Sequence, residues 1–120
     1  MPRNMSFSMT TPQFIDGSKD VTRRFGWWNL KKGDRLMAVE KGMGLKKGEK
    51  IKQLGLIEIV SVRAEPLAAM IDDIQYGHEE LRREGFPFGH DDPVDFVHDI
   101  ARHYNKPIQA YINRIEFKRI

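Results

Sequence analysis

The feature that most restricts the fold is a long run of β-favouring residues in the middle of the chain, IKQLGLIEIVSVR at residues 51–63. Ile57, Ile59 and Val62 are β-branched, and such side chains favour strands. Gly55 is predicted to mark a bulge, since a glycine inside a strand often does. The run therefore predicts the longest strand of a sheet.

Shorter segments on both sides complete the pattern. Further strands are predicted at 5–9, 21–24, 35–40 and 110–120, and a lysine- and glycine-rich loop at 41–50. Helices are predicted after Thr11-Pro12, at 66–74, at 78–83 ending at Gly85, and after Asp91-Asp92-Pro93. The order predicts an α+β fold, a small mixed β-barrel with helices inserted before the C-terminal strand. Closure by that strand would leave no exposed edge.

Composition limits the class of protein. A chain of 120 residues with 40% hydrophobic content is the size of one domain, and we expect a single domain over residues 1–120. The sequence has no cysteine, which excludes disulfides and favours a reducing compartment. The N-terminal residues lack the apolar core of a signal peptide, and no apolar run approaches the ~18 residues that span a membrane. We therefore expect a cytoplasmic protein with no membrane partner.

Charge divides the sequence into two unlike halves. Residues 17–52 hold eleven basic and four acidic residues, a net charge of +7. Residues 65–104 hold ten acidic and three basic residues, a net charge of −7. Two interpretations are open: the basic half attracts phosphate groups, or the two halves attract each other across the fold.

One segment carries a recognisable motif. Residues 17–24 read GSKDVTRR and are followed by Lys32-Gly33-Asp34. This resembles the signature of the ASCH domain, a Gly-x-Lys-x-x-Thr-x-Arg run and then a Gly-Asp turn entering a strand. The likeness continues through Glu84-Gly85-Phe86 and Ile115-Glu116-Phe117, and so covers nearly the whole chain. The resemblance implies a PUA-like barrel whose cleft takes RNA or a small nucleoside or nucleotide, with no cofactor.

A small bacterial branch of that family, the acetylcytidine amidohydrolases, implies catalytic roles for Lys19, Thr22 and Glu84. Amide hydrolysis needs a nucleophile, a proton carrier and oxyanion stabilisation. Thr22 offers a hydroxyl, Lys19 is a base if its pKa is lowered, and Glu84 can pass the proton to the departing amine. Lys19 and Thr22 would face opposite sides of one regular strand, so this chemistry requires Lys19 to lie in the turn before it.

Five further residues are candidate ligand contacts: Arg23, Arg24, Trp27, Trp28 and Phe86. Adjacent arginines on a strand point to opposite faces, so only one can line the cleft, and the resemblance favours Arg24. One tryptophan is expected in the core, and the other can stack on a base. Phe86 is predicted either to wall the cleft or to pack in the core.

Three functions follow from these observations. The first is a nucleic-acid or nucleotide-binding domain that holds its ligand with Lys19, Thr22 and Arg24. The second is an amidohydrolase of modified cytidine, and the third is a protein-interaction module that uses the acidic helices at 72–99. No metal is expected, since His98 and His103 are five residues apart, a poor spacing for ligands on one helix face.

Overall fold

The computed structural model describes residues 3–8, 10–41, 47–85 and 92–120. Within them lie five strands and four helices, in the order β1 Arg3–Ser6, α1 Thr11–Asp16, β2 Val21–Arg24, β3 Arg35–Val39, β4 Gln53–Pro66, α2 Ala69–Asp72, α3 Ile74–Glu84, α4 Pro93–His103 and β5 Tyr111–Arg119. The predicted α+β class is confirmed, as is the insertion of helices before the final strand. In this part of the chain, every helix is too short or too polar to cross a bilayer.

The strands form one curled sheet, a half-barrel in the order β1-β3-β4-β5-β2. β1 runs parallel to β3, and the other neighbours are antiparallel. The edges of the sheet are thus β1 and β2, while the predicted closing strand β5 lies inside, between β4 and β2. β5 therefore pairs with a strand along each edge, and its residues 112–115 are all buried. The predicted bulge is confirmed, because the β3–β4 register shifts where Ala38 and Val39 face Gly55 and Gln53.

Two hydrophobic cores hold the layers together. The first fills the curl of the sheet, where Phe14 of α1 stacks 5.0 Å from Phe7 and 5.9 Å from Phe117, measured between ring centroids. The second lies between β5 and the helices, around Phe96 of α4 and Ile112. The cavity described below opens near Phe7 and Phe96, one residue from each core.

The helix boundaries depend on two aspartate caps. A single helix was predicted over 66–74, but Pro66 ends β4 and Asp73 separates α2 from α3 in an extended conformation. The Asp73 side chain accepts a hydrogen bond from the Tyr76 amide, so α3 begins at Ile74, earlier than predicted. Asp92 caps α4 in the same manner, by accepting from Val94 N. The predicted stop of α3 at Gly85 is confirmed by its left-handed φ of 81°.

Gly77 sets how closely the three helices before β5 can approach. A Cβ at this position would lie 2.0 Å from the carbonyl oxygen of Met70 in α2 and 2.9 Å from Cβ of Pro93 in α4. Backbone therefore contacts backbone at Gly77. The two glutamates that follow on α3, Glu80 and Glu84, are positioned over the sheet by this contact.

We predict that Gly77→Ala destabilises the fold by about 2 kcal/mol or more, because the added methyl group must push α2 and α4 away. The sign of the change in the free energy of unfolding is diagnostic, because alanine in place of an exposed helical glycine normally stabilises a protein by ~1 kcal/mol. Urea unfolding measures the change. Gln75→Ala, at an exposed position of the same helix, should stay within about 0.5 kcal/mol of the parent. Equal stability of the two variants would contradict the close approach.

Candidate functional site

A cavity of about 200 Å³ lies between the two edge strands, with α3 and α4 beside it. Its walls come from the end of β1, the turn before β2, β2 itself, the end of α3 and one face of α4. Five of the eight predicted site residues line it: Lys19, Thr22, Arg23, Arg24 and Glu84. The other lining residues are Ser6, Phe7, Ser8, Thr10, Phe96, Ile100 and Tyr104.

Lys19 lies in the turn before β2, the position that amide chemistry requires of it. Its side chain is buried, and Nζ donates to the carbonyl oxygens of Val21 (2.9 Å) and Glu84 (2.8 Å) and to Glu84 Oε1 (3.3 Å). Burial lowers the pKa of Lys19; the charge of Glu84 opposes this, while Arg24 and Arg23 lower the pKa further. Glu84 thus holds the Lys19 ammonium, and the pKa of Lys19 lies below its ordinary value.

Thr22 and Arg24 share one face of β2, because alternate residues of a strand point the same way. Arg24 Nε donates to Thr22 Oγ1 at 3.0 Å, and Arg24 Nη2 donates to the carbonyl oxygen of Ser6 at 2.5 Å. Arg24 also lies over the ring of Phe7, with Cζ 5.3 Å from the centroid. A half-buried cation therefore joins the two edge strands at the cavity wall.

Arg23 lines the cavity too, so the prediction that only one of the two arginines can do so is wrong. Its guanidinium, however, is engaged by carboxylates. With its side chain 1% exposed, it donates to Glu84 Oε2 (3.0 Å), Glu80 Oε1 (2.6 Å) and Glu65 Oε2 (3.2 Å). Burial alone would lower the pKa of Arg23, but the three carboxylates outweigh it and raise the pKa. Arg23 therefore fixes Glu84 from the side opposite Lys19.

These contacts belong to a buried charge cluster of three cations and three anions: Lys19, Arg23, Arg114, Glu65, Glu80 and Glu84. Arg114 of β5 binds Glu80 through Nε and, at 3.1 Å, through Nη2. Burial of Glu80 opposes its ionisation, but hydrogen bonds from Arg114 and the charge of Arg23 outweigh this and lower its pKa to about 2. Because buried charges are tolerated only when paired, the cluster fixes α3 against the sheet.

The two tryptophans among the predicted contacts are not brought to this cavity. Trp27 packs against the first core with Arg3 Cζ 4.9 Å from the ring centroid, and Trp28 is 53% exposed. Neither is among the cavity's lining residues. Phe86 lies outside the described residues. Among the described residues, no three His, Asp or Glu side chains are grouped so as to hold a metal ion.

Sequence reasoning missed the contribution of α4. Phe96, Ile100 and Tyr104 line the cavity at intervals of four residues, which is the spacing of one helix face. The helical spacing of these residues is visible in the sequence, but the sequence does not show which neighbour that face of α4 meets. Tyr104 is 46% exposed, and the ring of Phe25 lies edge-on to it at 5.1 Å. Among the described residues, the exposed aromatic side chain that lines this cavity is therefore Tyr104, and Trp27 and Trp28 do not line it.

No family model matches this chain, and no curated protein matches it. Among solved structures, the chain is similar to the crystal structure of protein EF3133 from Enterococcus faecalis V583, described as family-model DUF984. The TM-score is 0.61 at 13% sequence identity, and the match covers 100% of this chain and 80% of that chain. At this identity the likeness concerns the fold alone.

The cluster generates a stability prediction. Glu80→Gln should destabilise the fold by about 3–5 kcal/mol at neutral pH, because Arg23 and Arg114 lose the charge that pairs them. The pKa of Glu80 is about 2 in the folded protein and has its ordinary value of 4.5 in the unfolded chain. Its contribution is therefore full above about pH 4.5 and disappears as the pH falls to about 2, so the variant and the parent should converge on acidification.

Urea unfolding at several pH values measures this convergence. Glu79→Gln is the matched control, since it makes the same change one residue earlier on α3, where the side chain is 57% exposed and pairs with Arg82. That control should change stability by less than about 1 kcal/mol. A similar loss in both variants, or a difference that does not shrink in acid, would contradict the pairing.

Proposed function

We propose that this chain binds one nucleoside or nucleotide, free or as an unpaired residue of RNA, in the cavity between β1, β2 and α4. One observation carries the proposal: a cation (Arg24), a hydroxyl (Thr22) and an exposed aromatic ring (Tyr104) line the same small cavity. These are the groups that recognise a phosphate or a base edge and stack on a base. The resemblance to the ASCH domain supports the same ligand class.

The size of the cavity favours a small ligand. Its volume of about 200 Å³ is below the ~300–1,000 Å³ that drug-sized ligands fill. One base or nucleoside fits this scale, and a stretch of folded polymer does not. RNA would therefore present a single unpaired residue to the cavity, as most sequence-specific RNA recognition does.

The roles of the lining residues follow from their chemistry. Tyr104 offers a ring for stacking, and Phe25 holds that ring edge-on. Arg24 offers several N–H donors from one rigid plane. Hydroxyl groups come from Thr22, Ser6 and Ser8. Because a hydroxyl group both donates and accepts, each can pair with a hydrogen-bond donor or an acceptor on a base edge.

Amide hydrolysis of an acetylated cytidine is the second candidate, and one observation favours it. Lys19, Glu84 and Thr22 line the same cavity, with a lowered pKa for Lys19. In this reaction the Thr22 hydroxyl attacks the acetyl carbon while neutral Lys19 takes its proton, and the amide C–N bond breaks as Glu84 relays a proton to the departing amine. A water molecule then hydrolyses the acetyl ester on Thr22, which releases acetate and restores the hydroxyl. The three oxygens that accept from Lys19 Nζ match an ammonium, so the reaction requires Lys19 to lose a proton first.

For binding, we expect Tyr104→Ala to weaken the affinity for a nucleoside 5′-monophosphate by about 5- to 150-fold, the equivalent of a lost stacking contact. Calorimetric titration with the four ribonucleoside monophosphates measures it. Trp28→Ala is the control, since it removes an exposed aromatic ring away from the cavity. Unchanged binding by Tyr104→Ala, or an equal loss in the control, would contradict the proposed site.

For hydrolysis, Thr22→Val should abolish deacetylation of acetylcytidine, because valine keeps the shape of threonine without the nucleophilic oxygen. Lys19→Ala should also be inactive. The parent's rate should rise with pH as Lys19 deprotonates, and burial places this rise below the ordinary lysine pKa of 10.5. Product formation followed by chromatography tests this. Full turnover by Thr22→Val would overturn Thr22 as the nucleophile, whereas no turnover by the parent protein would eliminate the enzyme and leave the binding function.

A further inference from the structure

A second cavity, of about 220 Å³, adjoins the first. It is lined by Ser8, Glu40, Lys41, Glu49, Lys50 and Lys52. Ser8 lines both cavities, so they meet at the segment that follows β1. The second cavity was not indicated by any sequence motif, because Lys41 is nine positions before Lys50 in the sequence. The loop predicted at 41–50 falls partly on residues 42–46, which lie outside the described residues.

Hydrogen bonds to backbone carbonyl groups fix the two cavities relative to each other. Beyond the end of β1, Phe7 N donates to the carbonyl oxygen of Val39 at 2.8 Å, and the Ser6 hydroxyl donates to that of Glu40 at 3.3 Å. Glu40 N in turn donates to the carbonyl oxygen of Lys52 at 3.0 Å. Residues 6–7, 39–40 and 52 therefore form three neighbouring backbone segments in direct contact, and they connect the first cavity to Lys52.

The charges of the second cavity suit an anion. Its three lysines outnumber its two glutamates. Lys41 Nζ lies 3.6 Å from Glu49 Oε1, and Lys52 Nζ lies 3.5 Å from Glu40 Oε2, with all four side chains more than 40% exposed. Exposed pairs of this kind are worth ~0–1 kcal/mol, so phosphate groups can compete for the lysines at little cost.

We propose that the second cavity is a phosphate-binding groove for a single-stranded nucleic acid whose unpaired base enters the first cavity. The inference rests on the proposed function and names its physiological form: a polymer rather than a free nucleoside. A nucleoside occupies the first cavity alone. A strand continues past Ser8, and its next phosphates meet Lys41, Lys50 and Lys52.

The test compares two double variants that remove the same charge. Lys50→Ala with Lys52→Ala removes two groove lysines, while Lys31→Ala with Lys32→Ala removes two exposed lysines that line neither cavity. Each protein is titrated with a ten-residue single-stranded RNA of mixed sequence and with nucleoside monophosphates, at 50 and 200 mM salt.

We expect the groove variant to bind the RNA roughly tenfold more weakly at low salt. Its dependence of log K on log salt should be shallower by about 1.4, or ~0.7 for each lost phosphate contact. Its affinity for the monophosphates, and the RNA affinity of the control variant, should not change. Equal losses in the two double variants, or no loss in either, would overturn the groove.

The two proposals fail in different ways. If monophosphates bind the parent protein but the RNA binds no more tightly, the groove is overturned and the cavity stands. If the RNA binds through Lys50 and Lys52 while no monophosphate binds, the groove stands and the base-binding cavity is overturned.

Discussion

Arg23 brings a permanent positive charge into the interior between the sheet and the helices, and the neighbouring elements are arranged around it. A buried cation of this kind is tolerated only beside anions. Glu80 and Glu84 supply them from α3, and Glu65 from β4. The helix that carries Glu84 thereby acquires a fixed height and rotation over β2. The position of Lys19 follows, because Glu84 holds it through both a carboxylate and a carbonyl oxygen.

Charge balance separates structural residues from candidate functional ones. The buried charge cluster is neutral, with three cations and three anions, so it adds little net field to the cavity. Arg24 stands outside that balance, half-buried on the cavity face of β2. The cavity therefore presents a net positive wall, while the groove beyond Ser8 adds exposed lysines.

The sequence predicts what depends on near neighbours. The shared face of Thr22 and Arg24 and the end of α3 at Gly85 both follow from spacing or from a single residue's conformational preference. The partners of Arg23 do not, because Glu65 and Glu80 lie about 40 and 60 positions away and resemble surface glutamates in the sequence. Strand order depends equally on contacts between distant residues. So does the finding that Tyr104 lines the cavity and Trp28 does not. Attraction between the two charged halves is confirmed in part, since Lys19 and Arg23 pair with glutamates of the acidic half. Attraction of phosphate groups by the basic half stays a prediction.

The contact between Arg24 and the Ser6 carbonyl oxygen connects two strands that have no ladder of backbone hydrogen bonds between them in the part of the chain described. A ladder is broken only by unfolding a strand, whereas a side chain exchanges partners by rotating about its own bonds, which exposed groups do within nanoseconds. In the part of the chain described, the seam of the half-barrel is therefore joined by a side-chain contact that can break without unfolding a strand. A ligand in the cavity meets the same Arg24 guanidinium that holds this seam. Ligand binding and the width of the opening therefore both depend on Arg24.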